Sequence, residues 1–175
     1  MKTLLTFISA CILSLNLQAQ DAITPDYLGH VTSLDQTLNT LYGVISGEKG
    51  KERDWPLFKY LFHADAKLIP TGKNKEGLQV ARYMTPQQYI DSSGKWLVEN
   101  GFFEKEINRK VQTFGNITQV FSTYESYKSE SDTEPFMRGI NSIQLMNDGQ
   151  RWWVMNIYWM QESEANPIPS EYLPD

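Results

Sequence analysis

RGINSIQLMNDGQRWWVMNIYW, residues 138–159, decides how this chain is read. Two runs of strand-forming residues meet at Asp148-Gly149, a dipeptide suited to the positive φ angles of a two-residue type I′ turn. That turn sets Asn147 opposite Gln150. Outward from it, Leu145 meets Trp152, Ile143 meets Val154, Asn141 meets Asn156 and Gly139 meets Tyr158. Opposed residues share a sheet face. This face is apolar near the turn and ends in Asn141, Asn156 and Tyr158, the composition of an apolar pocket with a few convergent polar groups. The other face carries Trp153, Met155, Ile157 and Trp159, too apolar for a strand with one wet side. A second subunit is the expected cover, which makes these four an interface, with the C-terminal tail as the alternative. Arg138 falls opposite Trp159, the spacing of a cation–π pair. A slip of one residue exchanges the two faces.

Upstream, Val31, Leu34, Leu38, Leu41 and Ile45 recur at three- and four-residue steps and predict a helix over 26–45. A short second helix starts at Asp54, with Pro56 in its first turn and Trp55, Phe58, Leu61 and Phe62 on its apolar side. Residues 66–69 read as a strand. Thr85-Pro86-Gln87-Gln88 is a capping box opening a helix that Gly101 ends. Residues 103–113 alternate, placing Glu104, Glu106, Asn108, Lys110 and Gln112 on a wet face. A strand over 117–128 follows Gly115-Asn116. Asn116-Ile117-Thr118 matches a glycosylation acceptor but reads as part of that hairpin. Three helices before a meander of long strands give an α+β class, a curved antiparallel sheet wrapped over three N-terminal helices.

Lys2, the apolar run 4–17 and Gln18-Ala19-Gln20 read as a secretory signal peptide over 1–19, so residues 20–175 form a single domain that is exported, periplasmic or extracellular. Ile8-Ser9-Ala10-Cys11 also resembles a lipobox, the minor alternative of a lipoprotein. Cleavage after Ala19 removes Cys11, the one cysteine, and leaves no disulfide or thiol chemistry. About 156 residues suffice for one domain burying roughly 70% of its unfolded surface. The formal charge of −5 and the lack of a basic run beyond 49–53 argue against nucleic acid, and no apolar run is long enough for a membrane span.

The first amphipathic helix, Trp55…Leu61-Phe62-His63-Ala64-Asp65-Ala66, the helix at Thr85 and the Gly149…Trp152-Trp153-Val154 strand together resemble the nuclear transport factor two-like (SnoaL-like) superfamily over roughly 26–161. Arg53-Asp54-Trp55 and Asn166-Pro167-Ile168-Pro169 look like a secreted bacterial branch of it. The resemblance implies a cone-shaped α+β barrel, a pocket between sheet and helices, and frequent dimerisation through the sheet. It leaves activity open, from isomerisation to plain binding.

His63 and Asp65 are the candidate acid–base pair of a SnoaL-like isomerase or hydratase, with Asp65 as a simple turn acceptor in the structural reading. Tyr158 is the candidate hydroxyl donor, with Tyr60, Tyr83 or Tyr124 to join it, and Asn141 and Asn156 are candidate ligand contacts. No carboxylate falls on the expected inner face of the hairpin. His30 and His63 stand apart without a spaced acidic cluster, so no metal is expected, and no cofactor motif is present. The leading expectation is an exported, non-catalytic domain holding a small, partly apolar molecule and forming a homodimer through the sheet face. An isomerase or hydratase and a protein-interaction module stand as the alternatives.

Overall fold

The computed structural model describes residues 26–174; the expected leader 1–19, with Cys11, lies outside them. The Asp26 carboxylate accepts the Leu28 N–H and closes a single 3₁₀ turn, Leu28–His30. Ser33 then caps Gln36 at 3.1 Å, so α1 runs Leu34–Ile45, later than 26. Val31 precedes the helix and is fully buried there. Leu38 and Leu41 form the buried stripe of α1, each contributing roughly 1.5–3 kcal/mol through burial. Helix α2, Trp55–Leu61, starts where Asp54 accepts the Leu57 N–H at 2.9 Å.

The third helical segment, α3 (86–100), opens with both bonds of the capping box: the Gln88 N–H donates to Thr85 Oγ1 at 3.2 Å, and the Thr85 N–H to Gln88 Oε1 at 2.9 Å. It is not regular. An α turn, Pro86–Tyr89, passes into a π turn, Ile90–Gly94, and returns to α over Lys95–Asn100. Gly94 lets this widened turn lie on Trp55, since a Cβ there would sit 3.0 Å from the indole.

Gly101 ends α3 at φ +73°, and a Cβ there would collide with the Lys128 carbonyl oxygen. Gly101→Ala is therefore expected to lower stability by about 2 kcal/mol. A shift in urea midpoint equivalent to less than about 0.5 kcal/mol would overturn this account of the junction.

Six strands form one curved, unclosed sheet: β1 (Phe62–Lys73), β2 (Gln79–Ala81), β3 (Phe103–Phe114), β4 (Ile117–Tyr127), β5 (Met137–Asn147) and β6 (Trp152–Gln161), in the order β2-β1-β6-β5-β4-β3. The class is α+β, as expected. The sheet is mixed, because β1 is three times longer than the 66–69 segment and pairs parallel with β6. The helices lie against one face, over a core that includes Phe58, Leu61, Val120, Ile143, Leu145 and Val154.

Three local features change the register read from sequence. The tight two-residue turn occurs at Gly115-Asn116, between Phe114 and Ile117. The loop at 148–151 has four residues: Asp148 Oδ1 accepts the N–H groups of Gln150 and Arg151, and Asn147 pairs with Trp152. That displacement of two preserves the faces. A bulge at Met155 does not: Leu145 pairs with Val154, but Gln144 pairs with Asn156. From there on, Ile157 and Trp159 turn inward, and Asn156 and Tyr158 outward. A bulge at Ile107 does the same to β3, so Glu104 and Glu106 face inward while Asn108 faces outward.

Asn141, not Arg138, is opposite Trp159. Arg138 instead grips Glu162 with two bonds, 2.8 and 3.1 Å long. The cation–π arginine is Arg151, 4.0 Å from the Tyr60 ring centre and 3.6 Å from that of Trp153. On the outer face the tail folds back over part of β3 and β4. Tyr172 lies edge-on to Phe121, and its carbonyl accepts from Thr123, while that of Leu173 accepts from Asn108. Among the described residues no helix is long and apolar enough to cross a membrane.

Candidate functional site

A cleft of about 210 Å³ opens between the sheet and the three helices. Leu41, Tyr42 and Ile45 come from α1, Phe58 from α2, and Tyr89, Ser93, Trp96 and Leu97 from α3. The sheet side supplies Leu68, Tyr124, Met137, Ile157 and Trp159. Into this apolar and aromatic surround project the carboxyl of Glu104 and the amide of Asn141. Gly139 is what gives Tyr124 its room: a Cβ there would approach the phenol oxygen to 2.5 Å.

Burial raises the Glu104 carboxyl from 4.5 to about 7, against the opposing effects of the Asn141 amide and the nearby Ser126 hydroxyl. The side chain keeps some accessible surface, but that surface opens on the cleft, so the desolvation is that of an enclosed group. Ser126 Oγ, its cross-strand neighbour, is buried without a hydrogen bond of good geometry, and its hydroxyl lies near enough to favour the charged carboxylate. The hydroxyls of Tyr42, Tyr89 and Tyr124 are all pushed up, first by burial and then by the Glu104 charge, and so stay protonated.

A hydrogen-bonded chain leads away from the cleft. The Asn141 amide donates to Glu104 at 3.2 Å and to the Tyr42 hydroxyl at 3.1 Å. Ser122 donates to Glu106 at 2.5 Å, so the proton of the 2.6 Å Tyr42–Ser122 contact comes from Tyr42. Arg109 then bridges Glu106 and Asp35, at 2.7 Å to each. Every donor in this series has one acceptor to serve, which fixes the rotamers of Asn141 and Tyr42.

Sequence alternation assigns Glu104 to the wet face, and the structure makes it the one acidic group of the cleft among the described residues. A signal was available: the inward side of β4 reads Ser122, Tyr124, Ser126, which asks for polar partners on the strand beside it. Of the residues singled out from sequence, Asn141 and Tyr124 line the cleft, and so do Ile157 and Trp159, which the sequence assigns to the interface. Asn156 and Tyr158 sit on the outer face, Tyr158 being exposed. Tyr60 lies under Arg151 and Tyr83 is exposed, and neither lines the cleft. His63 and Asp65 lie 3.8 Å apart at the start of β1, with Asp65 in solvent and His63 edge-on to Trp153, also outside the cleft. Trp153 and Met155 lie on the outer face; Ile157 and Trp159 face the interior because of the bulge. Among the described residues no group of three or more His, Cys, Asp or Glu is placed to hold a metal.

No family model and no curated protein matches the sequence. Solved structures do. The chain is similar to an NTF2-like protein of unknown function from Pseudomonas putida KT2440, with TM-score 0.54 and 11% identity over 77% of this chain and 89% of that one. It is similar to a protein of unknown function with a cystatin-like fold from Nostoc punctiforme, with TM-score 0.55 and 10% identity over 74% and 89%. An NTF2-like protein of unknown function from Silicibacter pomeroyi gives TM-score 0.51 and 14% identity over 74% and 92%. The chain has the NTF2-like α+β fold, and at these identities the likeness is one of fold.

Proposed function

We propose that the protein holds a small, partly apolar molecule in the cleft, with Glu104 and Asn141 as its polar end. The observation that carries this reading is a carboxyl raised to about 7 inside an aromatic surround, beside an amide whose rotamer is fixed. A pocket of this composition orients a ligand by few polar contacts and binds it by apolar area. We further propose that residues 20–175 act after export, as the leader implies, and pair through the outer sheet face around Trp153 and Met155.

Native mass spectrometry of protein purified gently from its own cells should record a stoichiometric small-molecule adduct. Ser93→Trp, which sets an indole into the cleft wall, should abolish it. A protein that arrives bare, and takes up nothing from a fragment screen read by tryptophan fluorescence, excludes the reading. The same spectrum reads the dimer.

A carboxyl titrating near neutrality also suits general-base work, so the isomerase or hydratase alternative moves from His63 and Asp65 to Glu104. Turnover that rises through pH 7 and is lost in Glu104→Gln would select it over plain binding.

A further inference from the structure

We propose that the ligand of this cleft is a cationic amine, its ammonium on the Glu104 carboxylate and its hydrocarbon among the rings of Tyr89, Trp96, Tyr124 and Trp159. The proposal rests on the ligand-binding reading above and adds the ligand's charge.

Other acidic side chains on and beside the sheet have cationic partners. Glu106, two residues along β3, has Arg109 at 2.7 Å. Glu125 and Glu162 both have Arg138, at 3.9 and 2.8 Å. Glu104 has no cation beside it among the described residues, and the cleft wall contains no lysine, arginine or histidine. The arginine nearest in the hydrogen-bonded chain, Arg109, is already engaged by Glu106 and Asp35. An ionised carboxylate has about four acceptor positions, and Glu104 has two protein donors near it, the Asn141 amide at 3.2 Å and the otherwise unpaired Ser126 hydroxyl. Tyr42 directs its proton to Ser122 and supplies none.

A buried carboxylate with so few donors gains most from a partner carrying both charge and N–H groups. An anion would meet repulsion from Glu104, and a neutral alcohol or ketone would leave the carboxylate short of partners or require it to take up a proton. The surrounding rings point the same way, because the negative faces of tryptophan and tyrosine attract an ammonium most strongly where water is excluded. The polar groups that face Glu104 are Tyr42 from α1, Tyr89 from α3, Tyr124 and Ser126 from β4 and Asn141 from β5, and none of them carries a positive charge.

Matched probes of one shape test this: 2-phenylethylammonium, 2-phenylethanol and 3-phenylpropionate, titrated into the full-length protein by calorimetry and by the fluorescence of Trp96 and Trp159. At pH 8 the ammonium should bind at least tenfold more tightly than the alcohol, and the carboxylate most weakly. That preference should shrink at pH 5.5, where Glu104 takes up a proton, and should vanish in Glu104→Gln. The wild-type comparison stands even if the variant folds poorly. Equal or tighter binding of the alcohol overturns the charge assignment while leaving a ligand-binding cleft. Failure of all three probes to bind folded protein at millimolar concentration overturns the cleft reading and this inference together.

Discussion

Arg53→Met is expected to lower the unfolding free energy by about 3–5 kcal/mol. Arg53 is buried, yet its guanidinium meets no carboxylate. It donates instead to backbone carbonyls: Ile45 at 2.8 Å, Gly47 at 2.6 Å, Leu97 at 3.1 Å, and Lys51. Two of these belong to the last turns of α1 and α3, where the helix dipole presents negative charge, so one cation closes two helix ends. Removing it strands the enclosed carbonyls of Ile45 and Leu97, each worth about 1–3 kcal/mol when unpaired, and leaves Gly47 with the Phe102 N–H alone. Gly47 accommodates this packing, since a Cβ there would come within 2.6 Å of the guanidinium. Arg53→Lys should recover only part of the loss, because an ammonium cannot span the same carbonyls. Urea denaturation of the three proteins decides it, and a loss below about 1 kcal/mol for methionine would show that the helix ends do not depend on the arginine.

Glu104→Gln should have the opposite sign, and only above a certain pH. The folded protein holds the Glu104 proton up to about pH 7, whereas the unfolded chain releases it near 4.5. Below 4.5 the carboxyl is neutral in both states and its contribution is fully present. As pH rises through 7 that contribution is lost, because the folded state must then carry an enclosed charge. The glutamine variant does not titrate there. At pH 8 it should be more stable than the wild type by about 1–3 kcal/mol, and the gap should narrow to little by pH 5. At about 1.4 kcal/mol for each tenfold change in proton affinity, the span from 4.5 to 7 sets the ceiling. Thermal unfolding across pH 5–8 tests it. A gap that does not change with pH would mean that Glu104 is solvated like a surface carboxylate. The carboxyl of Asp148, held down to about 2 by Trp153 and the N–H groups of its loop, titrates well below this window and does not disturb the comparison.

What could be read from sequence was local. The start of α3 was legible because a capping box needs only four adjacent residues, and both of its bonds are present. The α+β class followed from the order of the elements. The inner and outer faces of the strands were not legible beyond the bulges at Ile107 and Met155. Period-two patterning cannot reveal an extra residue when both sides of a strand look alike. On β6 both sides are apolar, and on β3 the polar residues continue in step through the bulge, so Glu104 looked solvated. The long parallel pairing of β1 was hidden for a different reason. Its partner lies about ninety residues away, and His63 and Asp65 interrupt the apolar pattern at its start. Asn141 was placed on the inner face because it lies on β5, which carries no bulge of its own.

The position of β6 has a consequence for how the chain comes to be folded during synthesis. This strand is the last of the sheet to be made, yet it lies between β1 and β5 and joins the two halves of the sheet. Until it emerges, β1 has only the three-residue β2 beside it, and the cleft lacks the wall bearing Ile157 and Trp159. Such distant pairing forms slowly and leaves open strand edges in the meantime. A nascent chain stopped short of residue 161 is thus no smaller version of the domain but two unjoined pieces, each with an edge ready to pair with a neighbour.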